Sequence, residues 1–196
     1  MASAAPAKEV VGSVTEIGGV AQLQRDGNNL SVELTMAVQV NDKLQTTRDA
    51  HLTITLNGVN QLRLAGSSAI VFRTRDGGDR FVVDLLVGGL ISTVRSGTSP
   101  ARAGYEVRTP NAVVAVNVAE FETVYIAGKS CPDAPPCLRY TDVGVYKGLA
   151  QVSNPTNPQN PSVQVEQGLE TAVPCEQPPT EPAPFGMRQL GMPQYH

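Results

Sequence analysis

The chain has 196 residues, a net charge of −3 and no tryptophan. A chain of this length can bury one good hydrophobic core, so we expect one main domain. The acidic balance, without a large cluster of Lys or Arg, argues against a nucleic-acid partner. Only four Phe and five Tyr are present, which argues against aromatic platforms that stack bases or sugars.

The N-terminus suggests an exported protein. No apolar run in the sequence approaches the roughly 18 to 20 residues that a membrane-spanning helix needs, so we expect no transmembrane segment. The chain begins Met-Ala-Ser-Ala-Ala-Pro-Ala, without a charged region followed by an apolar one. Small residues of this kind resemble what remains after signal-peptide cleavage, with an initiator Met in front. We interpret residues 1–9 as such a remnant and expect a periplasmic or extracellular location.

From Val10 onward, short β-rich pieces alternate with turn signals, which predicts an all-β fold. Residues 52–56 alternate apolar side chains with Thr, and the Asn57-Gly58 pair that follows is the strongest hairpin signal in the chain. No stretch of ten or more residues keeps a helical period. We therefore assign residues 10–173 to one β domain.

Glycine interrupts several strand-like segments in the same way. Residues 17–20, 85–90, 145–150 and 165–170 each place glycine between two β-rich arms. A glycine inside a strand pattern marks a bulge or a sharp bend. The pattern predicts strands that turn corners, as in a β-solenoid, a β-roll or an orthogonal sandwich of short strands. Because the spacing is irregular, we do not predict a strict repeat.

The stretch 105–126 is predicted to be central to the fold. Its run 112–116 is apolar on both strand parities, which is typical of a strand covered on both faces. Pro110 cannot donate a ladder hydrogen bond, so we expect a strand entry or a corner between two short strands there. The core residues predicted in this stretch are Val114, Val116 and Phe121.

The same stretch resembles a known family. Residues 107–116, Val-Arg-Thr-Pro-Asn-Ala-Val-Val-Ala-Val, followed by Glu120 and Phe121, resemble the hallmark of the FecR-type domain, a bacterial envelope module. In that family the run usually continues Arg-Gly-Thr-Glu-Phe, and only the Glu and the Phe are kept here. The signature residues of the resemblance are Arg108, Thr109, Pro110, Val114, Val116, Glu120 and Phe121.

Three further motifs follow the order of that family. Residues 38–46 are similar to its turn and strand "G-D-x-L-x-T", with Asn41 where glycine is usual. Residues 52–64 are similar to its hairpin, and residues 85–94 to its glycine-containing strand. The resemblance covers roughly residues 10–173 and therefore the whole predicted β domain.

The resemblance implies a function only in part. Regulatory FecR-type proteins sit in the inner membrane and carry a signal from an outer-membrane receptor to a cytoplasmic sigma factor. The matching motifs cover the β domain alone, without a transmembrane helix or a sigma-factor-binding segment. We therefore expect a stand-alone, non-enzymatic protein-interaction module whose partner is another envelope or surface protein. The alternative is a structural β-solenoid subunit that self-assembles through exposed sheet edges.

Three cysteines admit one intramolecular disulfide. Cys131 and Cys137 flank a short proline-rich segment, and we predict a local bridge between them that leaves Cys175 as a thiol. The alternative ties Cys175 to one of the other two, closes a loop of about forty residues and holds the start of the C-terminal tail. Five intervening residues are not a good zinc spacing, so we expect no metal site here.

Candidates for catalysis are weak. His51 begins an alternating strand, where a surface histidine is ordinary, so we do not expect a catalytic triad. Glu120 and Glu122 share strand parity and could form a carboxylate pair of the kind that glycosidases use. Asp76 and Asp79 flank two glycines, but without further oxygen ligands we interpret them as a turn rather than a calcium site. We predict no enzymatic activity, no cofactor and no metal.

Residues 174–196 form a separate proline-rich tail. Five prolines lie between positions 174 and 184, and we expect this density to forbid helix and sheet alike and to favour an extended segment. The tail could be a docking or wall-spanning segment. We favour a floppy end or a strap that lies along the sheet.

Overall fold

The computed structural model describes residues 9–75, 80–95, 104–132, 134, 136–157 and 159–186. Most of the N-terminal remnant, the Asp76–Asp79 turn and the last ten residues of the tail lie outside this part. The described residues form strands and no helix, so none of them forms a helix that could cross a membrane. The prediction of an all-β fold is confirmed.

The described part contains sixteen strands. In chain order they are β1 Val10–Gly18, β2 Ala21–Arg25, β3 Asn28–Ser31, β4 Ala37–Gln39, β5 Lys43–Thr46, β6 His51–Leu56, β7 Asn60–Leu64, β8 Ala69–Arg75, β9 Arg80–Val94, β10 Tyr105–Arg108, β11 Val113–Val116, β12 Ala119–Ala127, β13 Arg139–Ser153, β14 Val163–Glu166, β15 Leu169–Pro174 and β16 Ala183–Pro184.

The strands form two sheets that share two long strands. Sheet A has the order β4-β1-β6-β7-β9-β12-β13-β15-β16. Sheet B has the order β3-β2-β5-β8-β9-β10-β11-β13-β14. All described neighbours are antiparallel except β9 and β10, which run parallel. Because β9 and β13 occur in both orders, the pairing closes a ring of five strands: β9, β12, β13, β11 and β10.

Glycines with positive φ make the corners between the sheets. Gly19, Gly88, Gly148 and Gly168 have φ of 77°, 84°, 86° and 80°, values that residues with a Cβ rarely adopt. At each one the chain leaves one sheet for the other: from β1 to β2, within β9, within β13, and from β14 to β15. These are the four segments that the glycine pattern singled out. The predicted corners are therefore confirmed, while the solenoid assignment stays a prediction.

One hydrophobic core includes side chains from both sheets. On β6, Leu52, Ile54 and Leu56 are buried and alternate with half-exposed residues. Phe72 of β8 in sheet B and Val143 of β13 in sheet A belong to the same cluster. The Asn57-Gly58 turn joins β6 to β7 as the sequence predicts.

The predicted central strand is central but not covered on both faces. β11 lies between β10 and β13 in sheet B. Val114 and Val116 are buried, whereas Val113 is half-exposed and Ala115 is exposed. The expectation of two covered faces was therefore wrong. Isolated Val and Ala side chains are common on protein surfaces, so an unbroken apolar run of this size does not require a second covered face.

The described part of the tail packs along sheet A. We call residues 176–186 the strap. In the strap, β16 pairs with β15 through Leu169 opposite Pro184 and Glu170 opposite Ala183. Proline is tolerated on an edge strand because its missing N–H can face away from the ladder. The favoured interpretation of a strap along the sheet is confirmed for these residues, whereas the expectation that the prolines forbid sheet was wrong, because β16 pairs with β15.

Candidate functional site

The signature turn of the sequence joins β10 to β11. The Thr109 amide donates to the Ala112 carbonyl oxygen at 2.9 Å, and the Ala112 amide donates to Thr109 Oγ1 at 2.9 Å. Pro110 is exposed in the turn, where no ladder N–H is required. It therefore forms the predicted corner between two short strands.

Asn111 connects this turn to the other sheet. Its side chain is fully buried, and its Oδ1 accepts a hydrogen bond of 2.7 Å from the hydroxyl of Thr141 on β13. Its Nδ2 donates to the carbonyl oxygen of Val173 on β15. The hydroxyls of Thr109 and Thr141 are also 2.7 Å apart. The turn belongs to sheet B, and its partners on β13 and β15 belong to sheet A, so the motif fastens the sheets together. We did not single out Asn111 from the sequence, although it lies inside the motif.

Of the remaining signature residues, Phe121 lies in the core on sheet A and Arg108 at the end of a strand of sheet B. Phe121 is fully buried, and its ring meets the Tyr105 ring edge-on at a centroid distance of 6.2 Å. The Tyr105 hydroxyl lies 2.8 Å from Ser92 Oγ, and burial raises the pKa of Tyr105 strongly. Arg108 is half-buried at the end of β10 and donates from Nε to the Glu106 carboxylate.

The 38–46 motif is also structural. Asn41 has φ of 70°, which explains why glycine suits this position. Asp42 is fully buried and accepts hydrogen bonds from Arg25 Nε at 2.9 Å and Arg25 Nη2 at 2.6 Å. The hydrogen bond with Asp42 raises the pKa of Arg25. The motif thus fixes the connection between β4 and β5.

A pair of carboxylates lies on sheet A. Glu122 on β12 is opposite Gly144 on β13, and Gly144 is opposite Glu170 on β15. Both glutamates are buried. The carboxyl group that raises the pKa of Glu122 by its charge is therefore that of Glu170. The sequence pattern had indicated Glu120 instead. Glu120 is half-buried and lies next to a register shift in the pairing of β12 with β13.

The electrostatics of Glu122 follow from this arrangement. Burial raises the pKa of Glu122, a hydrogen bond from the Tyr146 hydroxyl opposes that shift, and the charge of Glu170 raises the pKa further. Among the residues that the structure describes, no group of three or more His, Cys, Asp and Glu could hold a metal ion. His51 lies at the half-exposed start of β6, with Nε2 at 3.6 Å from Glu16 Oε1.

An aromatic side chain of the strap lies next to the carboxylate pair. We call the surface formed by Glu122, Gly144, Tyr146 and Glu170 the Gly144 recess. The Phe185 ring stacks on Tyr146 with a centroid distance of 5.3 Å and an interplanar angle of 12°. A Cβ at Gly144 would lie 2.5 Å from Phe185 Cε1, so the ring occupies space that any larger residue would fill. The arrangement therefore places an aromatic side chain beside Gly144, between two buried carboxyl groups.

Comparison with known families agrees with this geometry. Residues 42–134 match the family described as FecR protein. The resemblance to the FecR family is therefore confirmed for these residues. The match includes the Asp42 motif, the β6–β7 hairpin and the signature turn, which are the features described above.

Solved structures with a similar fold support the described architecture. Two crystal structures of a protein from Parabacteroides distasonis, provisionally described as an anti-sigma factor, match with a TM-score of 0.51 at 17% sequence identity. Each match covers 67% of this chain and 54% of the other, so the chain spans about half the length of those proteins. At this identity the likeness concerns the fold alone. No curated protein matches the chain.

The disulfide differs from our prediction. Cys137 is bonded to Cys175, and Cys131 is a buried thiol outside the bridge. The predicted Cys131–Cys137 bridge was therefore wrong, and the alternative is confirmed. The pairing of β13 with β15 explains the difference, because the Cys175 amide donates to the Arg139 carbonyl oxygen at 3.0 Å. This contact brings Cys175 beside Cys137, two residues before Arg139.

The chain offers different edges at the ends of its two sheets. Among the described strands of sheet B, β14 pairs with β13 alone and β3 pairs with β2 alone. In sheet A, the outer edge of β15 is occupied by β16 of the strap. Within β14 there is neither proline nor lysine, the residues that commonly protect an edge from pairing.

Proposed function

We propose that the chain is a non-enzymatic, FecR-like protein-interaction module, exported to a bacterial envelope or surface. Its family match supports an interaction role. Both carboxyl groups of the pair that a hydrolase could use, Glu122 and Glu170, are buried. A sheet with an unpaired edge, in contrast, can bind an extended segment of another protein through main-chain hydrogen bonds.

The open edge of β14 is the observation that carries this proposal. Its pairing with β13 uses one side of the strand, so alternate residues direct N–H and C=O groups outward. Gln164 and Glu166 are exposed, whereas Val165 is buried in the core. A strand from a partner protein could therefore form backbone hydrogen bonds with β14, which is itself paired with β13. The partner in this proposal is another envelope or surface protein that supplies an extended segment.

Site-specific photo-cross-linking in the native envelope tests the role of β14. A photoreactive residue at Glu166 should give a discrete cross-linked product, and the product should disappear when Gln164→Lys places a charge on the edge. The matched control carries the photoreactive residue at Gln151, which is exposed on the neighbouring strand β13. Equal products from both positions, or a product that tolerates Gln164→Lys, would contradict the proposal.

A second function, structural self-assembly, is favoured by the order of sheet B. Its two terminal strands, β3 and β14, lie at opposite ends of the same sheet and pair with one described neighbour each. Contact between β14 of one copy and β3 of the next would be head-to-tail, which can produce open filaments. Sedimentation velocity from micromolar to millimolar concentration separates the two functions. A stable monomer excludes assembly, and growth with concentration supports it.

A further inference from the structure

The strap lies beside β15 as an added strand would. The Thr180 amide donates to the Ala172 carbonyl oxygen at 2.8 Å, and the Phe185 amide donates to the Gly168 carbonyl oxygen at 3.1 Å. The Ala172 amide in turn donates to Thr180 Oγ1 at 3.0 Å. An extended, proline-rich segment thus follows the edge of sheet A and satisfies backbone groups of that edge.

The Gly144 recess recognises one side chain of that segment. Across β12, β13 and β15 the residues in register are Glu122, Gly144 and Glu170. The central residue has no side chain, so the row contains a gap between two carboxylates. The Phe185 ring fills this gap and stacks on Tyr146. The recess therefore selects an aromatic side chain at a defined position of an extended segment.

The far end of the strap, residues 182–186, is held less firmly than its near end, which follows Cys175. Cys175 is covalently bonded to Cys137 directly before the strap. At the other end, Pro182 and Pro184 have no N–H to donate, and the pairing of β16 extends over two residues. Phe185 is half-buried and Tyr146 is 41% exposed. Segments with few buried contacts open locally without global unfolding, so the far end can leave the recess while the domain stays folded.

We propose that the Gly144 recess is a peptide-binding site that the chain occupies with its own strap. The ligand in trans is an extended, proline-rich segment of a partner protein that carries an aromatic residue where the strap has Phe185. This site is separate from the edge of β14, because it lies on the outer edge and face of sheet A. The strap acts as an intramolecular competitor, whose effective concentration is in the millimolar range for a short tether.

Peptide binding to the full chain tests this site. The probe is a fluorescently labelled peptide with the sequence of residues 179–186, Pro-Thr-Glu-Pro-Ala-Pro-Phe-Gly. Phe185→Ala empties the recess of its own ring, so this variant should bind the probe at least tenfold more tightly than the unchanged chain. Thr180→Val, which removes the hydrogen bond from the Ala172 amide, is a second release variant and should change affinity in the same direction. Fluorescence anisotropy measures both.

Two controls assign the binding to the recess. A probe with Ala in place of Phe should bind at least tenfold more weakly to the Phe185→Ala variant. Adding Gly144→Ala to the Phe185→Ala variant should weaken binding of the Phe-containing probe at least tenfold, because the new Cβ occupies the position of the ring. Circular dichroism melting shows that each variant is folded. Equal affinity of the Phe185→Ala variant and the unchanged chain, or full binding by the double variant, would overturn the proposal.

Discussion

Asn111 shows at the scale of one residue how a family motif can act through buried hydrogen bonds. Its amide contacts Thr141 and Val173, so Asn111→Leu leaves a buried hydroxyl and a buried carbonyl oxygen without this partner. An unsatisfied buried polar group costs about 1–3 kcal/mol. We expect the free energy of unfolding to fall by about 3 kcal/mol in urea denaturation.

The matched control for this substitution is Asn117→Leu. Asn117 follows β11 in the same stretch and is exposed, so its substitution should change the free energy of unfolding by less than about 0.5 kcal/mol. Similar losses for both variants would mean that Asn111 does not fasten the sheets. The motif would then depend on its apolar residues alone.

Glu122 predicts a dependence of stability on pH. Its pKa in the folded chain is raised above the ordinary value of 4.5, so the folded state keeps a proton that the unfolded state has lost. Stability contributed by Glu122 is therefore complete at low pH and decreases as the pH rises above 4.5. Glu122→Gln removes this titration, and its stability relative to the unchanged chain should increase between pH 4.5 and neutrality.

Urea denaturation at several pH values measures the effect of Glu122→Gln. The control is Glu166→Gln on the exposed part of β14, which should give a curve parallel to that of the unchanged chain. Parallel curves for both variants would show that burial and Glu170 do not perturb Glu122.

The strap and its disulfide belong to the scale of elements. The bridge joins cysteines 38 positions apart, and for a loop of that size the chain-entropy relation gives about 4 kcal/mol of stabilisation. Cys175→Ser should lower the free energy of unfolding by about this amount. Cys131→Ala should keep the bridge, and non-reducing peptide mapping should then find one cross-linked peptide with Cys137 and Cys175. A cross-link between Cys131 and Cys137 in the unchanged chain would contradict the structure.

Local sequence patterns predicted individual strands and turns well. They did not reveal contacts between elements that are distant in the sequence. The Asn57-Gly58 hairpin and the four glycine corners depend on backbone conformations that short sequences specify. The Cys137–Cys175 bridge depends on the pairing of β13 with β15, which no spacing of cysteines reveals. The Gly144 recess was missed for the same reason, because Glu122, Gly144 and Phe185 come from three distant parts of the chain.

At the scale of the whole molecule, side-chain alternation predicted the fold class but not the order of strands. Alternation shows which face of a strand is buried, and β6 follows it closely. It does not show which strands are neighbours. The parallel contact between β9 and β10 is an example: β10 pairs with residues 81–84 of β9, and residues 85–104 lie between the two paired segments. Parallel strands need such a long connection.

The two strands shared by both sheets have a consequence for cooperativity. Neither sheet can separate from the other while β9 and β13 keep their pairing on both sides of Gly88 and Gly148. We therefore expect native-state hydrogen exchange to show the same opening free energy for the interior strands of both sheets, equal to that of global unfolding. Lower values confined to one sheet would contradict this. A partner bound at either surface would then slow exchange throughout the ring of five strands, including amides far from the contact.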